Sequence, residues 1–534
     1  MPDSTLPGSS LRPRESALGP LRGPVFRMLW FTWLAANTTM WMNDVASAWL
    51  MTSLTPSPLW VALVQSAATL PVFLLGLPSG ALADTLDRRR YFMVTQFWVA
   101  GIATLLCVVI LLDKLTAPLL LALTFANGIG LAMRWPVFAA IVPEIVSRPQ
   151  LAQALALNGV AMNASRIIGP LIAGALLASV GGAYVFVLNA ALSIVAGLTI
   201  MRWRRVHQES PLGREPLVSA MRVGVQFVWH SSRMRAVMLR IALFFLHSTA
   251  LMALLPLVAR GLPGGRAGTF TVLLAAMGAG AIIAALLMPQ IRRRLPLQPR
   301  VLAGTVVQAL AAVVVGFAPN VYVAVPAMVL AGAAWITVAN SLTVAAQMSL
   351  PDWVRARGMS VYQMALMGST AAGAALWGQV ATSSSIRIAL ALSAATGIAT
   401  MLAAQRLKID RGIEEELTPS RVLRVPEMQE PPRAGRILVR VEYRIDPARA
   451  DEFLALMQES RRSRLRQGAL EWQLLHDIYE PGRYVEQITD PSWTEHLRRF
   501  DRISEADVAL RDKRLAHHIG EEPPRVTRYV IEQE

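Results

Sequence analysis

The 534-residue chain is 54% hydrophobic and only 16% charged, with a formal net charge of +16 and a single cysteine. A soluble protein carries roughly a quarter charged residues. Here 28 Lys+Arg against 10 Asp+Glu sit in the apolar residues 1–404, and 23 against 25 in residues 405–534. That distribution excludes a nucleic-acid binder with a uniformly basic surface, and lone Cys107 excludes an internal disulfide framework; what remains is a polytopic membrane protein with a soluble tail.

Residues 1–25 are rich in Pro, Gly and Ser and carry Arg12, Arg14 and Arg22. They lack a short apolar core followed by small residues, so a disordered cytoplasmic segment is expected rather than a cleaved signal. Apolar runs of bilayer-spanning length, roughly 20 residues each, then recur twelve times. They lie near 28–51, 59–82, 91–112, 118–142, 153–179, 183–201, 237–259, 268–289, 301–318, 321–345, 359–380 and 386–404. Two six-helix bundles, 26–201 and 237–404, follow. Small residues four apart (Ala276, Gly280 and Ala284; Ala365, Ser369 and Gly373) mark faces for close helix contact. Alternate connecting segments hold 21 arginines, whereas the others hold only Lys114, Arg260, Arg266 and Arg387. Positive charge stays inside, which places both termini in the cytoplasm.

The segment 202–236 between the bundles carries seven arginines, with Val218, Met221, Val225 and Val228 at helical spacing. An amphipathic helix lying on the inner leaflet is expected there. Residues 405–433 are charged and proline-containing and read as a linker. From 434 the period changes. Ile437, Val439, Val441, Tyr443 and Ile445 alternate with charged residues as in a half-buried strand. Asp446-Pro447 opens a helix with Phe453, Leu454 and Met457 on one face. Leu470 to Leu474 and Tyr484 to Ile488 mark two more strands, 493–516 a helix and Val526 to Ile531 a last strand. The order βαββαβ predicts a soluble ferredoxin-like α+β domain over 434–534, appended to an all-α polytopic membrane protein.

After the second span comes Gly80-Ala-Leu-Ala-Asp84-Thr-Leu-Asp87-Arg88-Arg89-Arg90. This resembles the signature loop of the major facilitator superfamily, with Asp87 where a second glycine usually stands. That departure is similar to the branch of the enterobactin exporter and the transmembrane secretion effectors. The fifth span contains Ser165, Gly169, Pro170 and Gly174, which resembles part of the antiporter motif of that superfamily. Trp41-Met-Asn-Asp44, Pro143-Glu144 and Leu157-Asn158 match as well, and the resemblance covers 26–404. It implies a secondary transporter working by alternating access, with Gly80, Asp84, Asp87, Arg88, Arg89 and Arg90 forming a cytoplasmic gate.

Charges inside the membrane are costly and therefore informative. Asp44 in the first span, Arg134 in the fourth and Arg166 in the fifth would face one central cavity by the same resemblance. A carboxylate alternating between a dry pocket and an arginine can take up and release a proton, so these three form the expected coupling site. Trp41, Asn43, Gln65, Asn127, Asn158, Asn163, His247, Trp335, Asn340 and Gln363 are the expected cavity residues. No phosphate-binding loop and no spacing for metal ligands occurs, so no cofactor, no metal and no nucleic-acid partner is expected.

The tail resembles the antibiotic-biosynthesis monooxygenase group in element order and in Trp472, His476, Tyr484 and Trp493. The resemblance implies self-association or, as an alternative, an enzyme fused to the transporter. The main reading is a non-enzymatic, proton-coupled exporter of lipophilic or siderophore-like molecules in a bacterial inner membrane. An importer or facilitator on the same fold is the other alternative.

Overall fold

The computed structural model describes residues 18–146, 150–202, 217–406, 420, 432 and 435–532. Residues 1–17, most of the inter-bundle segment before Leu217 and nearly all of the 405–433 linker lie outside the described residues. Six long helices come first: α1 (Pro24–Leu54), α2 (Pro58–Thr85), α3 (Arg88–Leu111), α4 (Ala117–Ile145), α5 (Leu151–Ser179) and α6 (Gly182–Met201). A shorter α7 (Leu217–His230) precedes a second set: α8 (Ser232–Gly261), α9 (Ala267–Arg294), α10 (Leu297–Gly316), α11 (Val321–Met348), α12 (Asp352–Ser383) and α13 (Ile386–Ala404).

Local chemistry sets many of their starts. Proline opens α1, α2 and α4, where its missing amide hydrogen costs nothing. The side chains of Asp87, Thr116, Ser231, Asn320 and Ser385 accept the backbone N–H three residues on, capping α3, α4, α8, α11 and α13. Among the described residues, ten helices are long and apolar enough to cross a membrane. The other two long helices, α1 and α12, have 31 and 32 residues. Both are more polar: Asn37, Thr38, Thr39, Asn43 and Ser47 of α1 are all buried against protein. The α12 helix starts seven residues before the expected span, because Asp352-Trp-Val-Arg-Ala-Arg continues the helix beyond its apolar stretch.

Close crossings occur where small residues recur. A Cβ at Gly280 would collide with the α11 backbone at Val329, and one at Gly373 with the α8 carbonyl of Leu246. The two bundles are joined unequally along their length. At the end holding the C-termini of α1 and α8, one continuous core includes Met42, Val45, Met51, Leu254, Leu255, Trp377 and Leu390, drawn from both bundles. There Arg260 donates to the Thr52 carbonyl, and the Leu59 N–H donates to Thr382 Oγ1 at 3.0 Å. At the opposite end the core divides. Phe26, Trp33, Phe92 and Phe138 belong to one cluster of the first bundle, and Phe244, Val301, Leu342 and Val354 to another of the second.

The tail comprises β1 (Arg436–Arg444), α14 (Ala450–Arg466), β2 (Glu471–His476), β3 (Arg483–Asp490), α15 (Trp493–Asp501), α16 (Glu505–Leu515) and β4 (Arg525–Ile531). The sheet runs β2-β3-β1-β4 with every pair antiparallel. Val439 faces Ile488 and Tyr443 faces Tyr484 across β1 and β3, setting the buried face of β1 over Phe453 and Met457 of α14. The single helix expected over 493–516 is two. Ser504 and Asp507 form a reciprocal capping box that restarts the chain after Arg502.

An α7 helix forms where amphipathic spacing predicts one; one side of it is covered by protein, while Val225 and Trp229 stay exposed. Val223, Phe227 and Val228 are buried, and a Cβ at Gly224 would lie 2.7 Å from Cβ of Arg357 on α12. On the other side Gln226 Nε2 donates to the Ala469 carbonyl at 2.6 Å, Arg222 donates to the Gly468 carbonyl at 3.3 Å, and Arg466 lies 5.8 Å from the Phe227 ring. Arg502 lies over Trp353 of α12 at 5.2 Å. The tail is thus docked on the membrane helices through α7.

Candidate substrate and coupling site

On α1, Asn37, Trp41 and Asp44 recur at helical spacing and share one face. The fifth helix crosses that face closely. A Cβ at Gly169 would lie 2.6 Å from Cβ of Trp41 and 2.9 Å from the Thr38 carbonyl oxygen, so only glycine fits. One turn earlier, Ser165 Oγ donates to the carbonyls of Leu34 and Ala161 and accepts from Thr38 Oγ1 at 3.2 Å. Gly174 makes the corresponding close approach to Thr271 of α9 in the other bundle, and Pro170 lies within the helix between the two contacts.

This packing brings Arg166 to Trp41. Its guanidinium lies 5.3 Å from the Trp41 ring and 4.5 Å from Trp335 of α11. One arginine is thereby held between tryptophans of opposite bundles, each contact worth about 0.5–2 kcal/mol. Nε and Nη1 of Arg166 are buried without a hydrogen-bond partner, as is Oδ1 of Asp44. Trp41 and Asp44 are three residues apart, about 4.5 Å along the axis of α1. Among the described residues Asp44 forms no ion pair within 4 Å.

Arg134 occupies a different level. It is 1% exposed, donates from Nη1 to the Ala36 carbonyl at 3.0 Å and sits 5.6 Å from the Trp33 ring, which stacks on Phe138. Ala36 precedes Asp44 by eight residues, about 12 Å along α1. The three expected coupling residues are therefore not gathered into one cluster: Arg166 lies against Trp41 and Trp335, Asp44 is one turn along α1 from Trp41, and Arg134 is nearer the end where the bundles separate. Nε and Nη2 of Arg134 are also unpartnered.

The other expected cavity residues are scattered. Asn43 is buried with both amide atoms unpartnered, and the side-chain oxygens of Asn127 and Asn158 are likewise buried without partners. Gln65 of α2 and Gln363 of α12 are half-buried. His247 hydrogen-bonds its own helix through Nδ1 and the Leu243 carbonyl, 2.8 Å apart. Asn340 is exposed and accepts from Arg292 Nη2 at 2.6 Å. The Asn163 side chain lies outside the described residues. Two residues were not anticipated: Gln96 of α3 and Gln308 of α10, buried with both amide atoms unpartnered on the third long helix of each bundle. An amide inside an apolar run was the available signal.

In the expected gate, Gly80 and Asp84 fall in the last turns of α2, and their side chains lie outside the described residues. Asp87 caps α3 by accepting from the Arg90 N–H at 2.8 Å. Arg89 donates to the Ile200 and Met201 carbonyls, clamping the last turn of α6. Arg88 is half-buried at the first position of α3.

In the tail, Trp472 is more than a packing residue: its Nε1 donates to Glu486 Oε1 at 2.9 Å. His476 stacks on Tyr484 with ring centres 4.3 Å apart, and Trp493 lies 5.3 Å from His496.

The family model described as "Transmembrane secretion effector", within the major facilitator superfamily, matches residues 15–534, tail included. A staphyloferrin A transporter of Staphylococcus aureus is 24% identical over 254 residues, 47% of this chain and 63% of that protein. The multidrug efflux pump Tap of Mycolicibacterium fortuitum is 26% identical over 226 residues, 40% of this chain and 54% of that protein. The chain thus spans between half and two thirds of the length of these relatives. Among solved structures, a bacterial homologue of the human lysosomal transporter Spinster, inward-facing and unoccupied, superposes with a TM-score of 0.58 at 14% identity, covering 73% of this chain and 96% of that one. A POT family transporter in complex with a thioalcohol-conjugated peptide gives 0.59 at 13%, covering 73% and 97%. These two likenesses concern the fold alone.

Proposed function

The chain belongs to the transmembrane secretion effector family of the major facilitator superfamily, a group of membrane transporters rather than enzymes, and we propose that it is a twelve-span, proton-coupled exporter of small lipophilic or siderophore-like molecules. The observation that carries this reading is the pair of ionisable groups in the membrane helices with buried, unpartnered atoms, Asp44 and Arg166, the arginine held by tryptophans of both bundles. Uncompensated charge at membrane depth is expensive and persists where it has work to do. Protonation of Asp44 would neutralise its side, and release of that proton would restore attraction to Arg166. The Trp41–Arg166–Trp335 bridge would feel both changes, because it spans the bundles that must rock for alternating access.

With the arginine-rich ends assigned to the cytoplasm, both termini are cytoplasmic and the divided core faces inward. The conformation is then inward-open, closed outside by the shared core. The Gly80–Arg90 gate would latch the inner side in the opposite state, with Asp87 capping α3 and Arg89 fixing it to α6. Domain limits follow as 26–201 and 237–404 for the bundles and 434–534 for a tail of ferredoxin-like type. The sheet order β2-β3-β1-β4 supports that assignment. Siderophores and drugs enter as substrate classes through the names of the relatives.

Inverted vesicles energised to an acidic interior test the reading directly. Hydrophobic dyes and citrate-type siderophores added to wild type should trigger proton efflux, and Asp44→Asn should abolish it at normal expression. Equal responses in both proteins would clear Asp44 of coupling. A substrate flux without proton movement would point to a facilitator.

A further inference from the structure

Outside the membrane helices, the tail holds a half-open cavity of about 240 Å³ bounded by α14, α15, α16 and the β1–β4 side of the sheet. The sheet supplies an apolar floor, Val439, Val441 and Ile488, and β4 places Arg528 opposite Val439. The wall is basic: Arg464, Arg499, Arg511, Arg514 and Arg528 line it together with His496.

The countercharge within reach is smaller. Glu486 takes Arg464 at 3.3 Å and Arg514 at 3.5 Å, and Asp490 takes Arg499 at 3.2 Å. Arg511 pairs with the exposed Asp512 at 2.8 Å. Arg528 Nε donates to His496 Nε2 at 3.2 Å, so that nitrogen is an acceptor and the ring proton sits on Nδ1, 2.7 Å from Asp490. The imidazole is neutral, and among the described residues Arg528 pairs with no carboxylate. Glu486 and Asp490 therefore serve the three inner guanidinia of Arg464, Arg499 and Arg514, with Asp507 adding longer-range attraction to Arg464 and Arg514, while Arg528 is exposed at the rim. Arg499 Nη1 and Arg514 Nε, on residues 5% and 4% exposed, have no hydrogen-bond partner at all. Idle buried donors beside an arginine that lacks a carboxylate are an arrangement that an anion would relieve.

We propose that this cavity binds a small organic acid, its carboxylate against Arg499, Arg514 and Arg528 and its apolar body over Val439, Val441 and Ile488. The apolar floor selects an organic anion over free phosphate, and the limited volume selects a molecule of one or two rings. The site is independent of the coupling reading, since none of its residues lies in the membrane helices. It is nevertheless close to them in the chain: Gln467 lines the cavity, and the next two carbonyls hold α7.

Calorimetry on the purified full chain in detergent, with 1-naphthoate, neutral 1-naphthamide and inorganic phosphate as probes, tests the assignment. Naphthoate should bind once per chain, at least tenfold more tightly than the amide or phosphate. Arg528→Leu should weaken it at least tenfold, as should Arg499→Leu combined with Asp490→Asn, a pair that removes balanced charges. Naphthoate should also slow hydrogen exchange in α15 and β4 of wild type, a readout that needs no variant. Unchanged exchange there, equal binding of acid and amide, tighter binding of phosphate, or full affinity in both folded variants would each overturn the proposal.

Discussion

In the tail, Glu486 is wholly buried and each carboxylate oxygen is occupied: Oε1 by Arg464 and Trp472, Oε2 by Tyr443 and Arg514. In the membrane helices, Asp44 has an enclosed oxygen with no partner, and Arg166 touches aromatic rings. Burial alone would raise the Glu486 pKa, but Arg464 and Arg514, helped by Trp472, outweigh it and hold the group at about 2. The contrast separates two uses of a buried carboxylate. One is locked into a single ionised state and organises a fold; the other, on the proposed function, would keep its proton equilibrium free for a cycle.

The sharpest way to break this comparison is to unlock the tail. Glu486→Gln leaves two buried guanidinia uncompensated, and breaking such a cluster from one side typically costs about 3–5 kcal/mol. Hydrogen exchange in β1 and β3 of the full chain should rise accordingly, while exchange in α1 and α5 stays unchanged. Wild-type protection in the variant would show that Glu486 is no keystone.

Acid should unlock it more gradually. Glu486 sits below the ordinary 4.5 in the folded protein, so its stabilisation is complete above pH 4.5 and disappears as pH falls toward about 2. The drop is worth roughly 3 kcal/mol at 1.36 kcal/mol per pH unit. Burial also keeps His496 below its usual 6.5, with Arg499 and Arg528 opposing the pull of Asp490. The unfolded chain then binds a proton that the folded one refuses, and a shallower loss begins below pH 6.5. Tail protection followed from pH 7 to 3 should show both phases, and His496→Gln should remove only the upper one.

The locked carboxylate was harder to read in the sequence than the free one, for a physical reason. Asp44 and Arg166 stand out because a charge in an apolar run has few alternatives to function. Glu486 shares the inward phase of Tyr484 and Ile488, yet a charged residue in a strand reads as solvent-facing until Arg464, Arg514 and Trp472 converge on it. Likewise the length and apolarity of each run located the long helices, and period-two alternation located the first two strands of the tail. What stayed hidden was tertiary: Trp335 reaching Arg166 from the other bundle, and tail carbonyls receiving α7. The break between α15 and α16 was written locally, in the Ser504-Glu-Ala-Asp507 box, but apolar positions on both sides made the stretch read as one helix.

On the free side, Arg166→Leu sharpens the comparison. It should lower transport at least tenfold while leaving expression and the α1–α5 contact intact, because Gly169 and Ser165 hold that crossing without it. Arg166→Lys, which keeps the charge and loses the flat stacking surface, should recover only part of the rate. Full recovery would reduce the tryptophan bridge to a bystander.

The smallest expected effect lies where the two regions meet. Gln226 Nε2 donates to the Ala469 carbonyl at 2.6 Å across the α7–tail contact, a neutral hydrogen bond worth about 1 kcal/mol. Gln226→Ala should leave both regions folded and speed exchange of the 467–469 loop by several-fold, since the Phe227–Arg466 and Trp353–Arg502 stacks still hold the tail. If tail and membrane helices act independently, transport will not change with that loop. If the docked tail restrains the rocking of α12, on which α7 rests, transport will rise as the contact loosens. Measuring both in one variant makes the weakest contact decide whether the locked and free carboxylates belong to one machine.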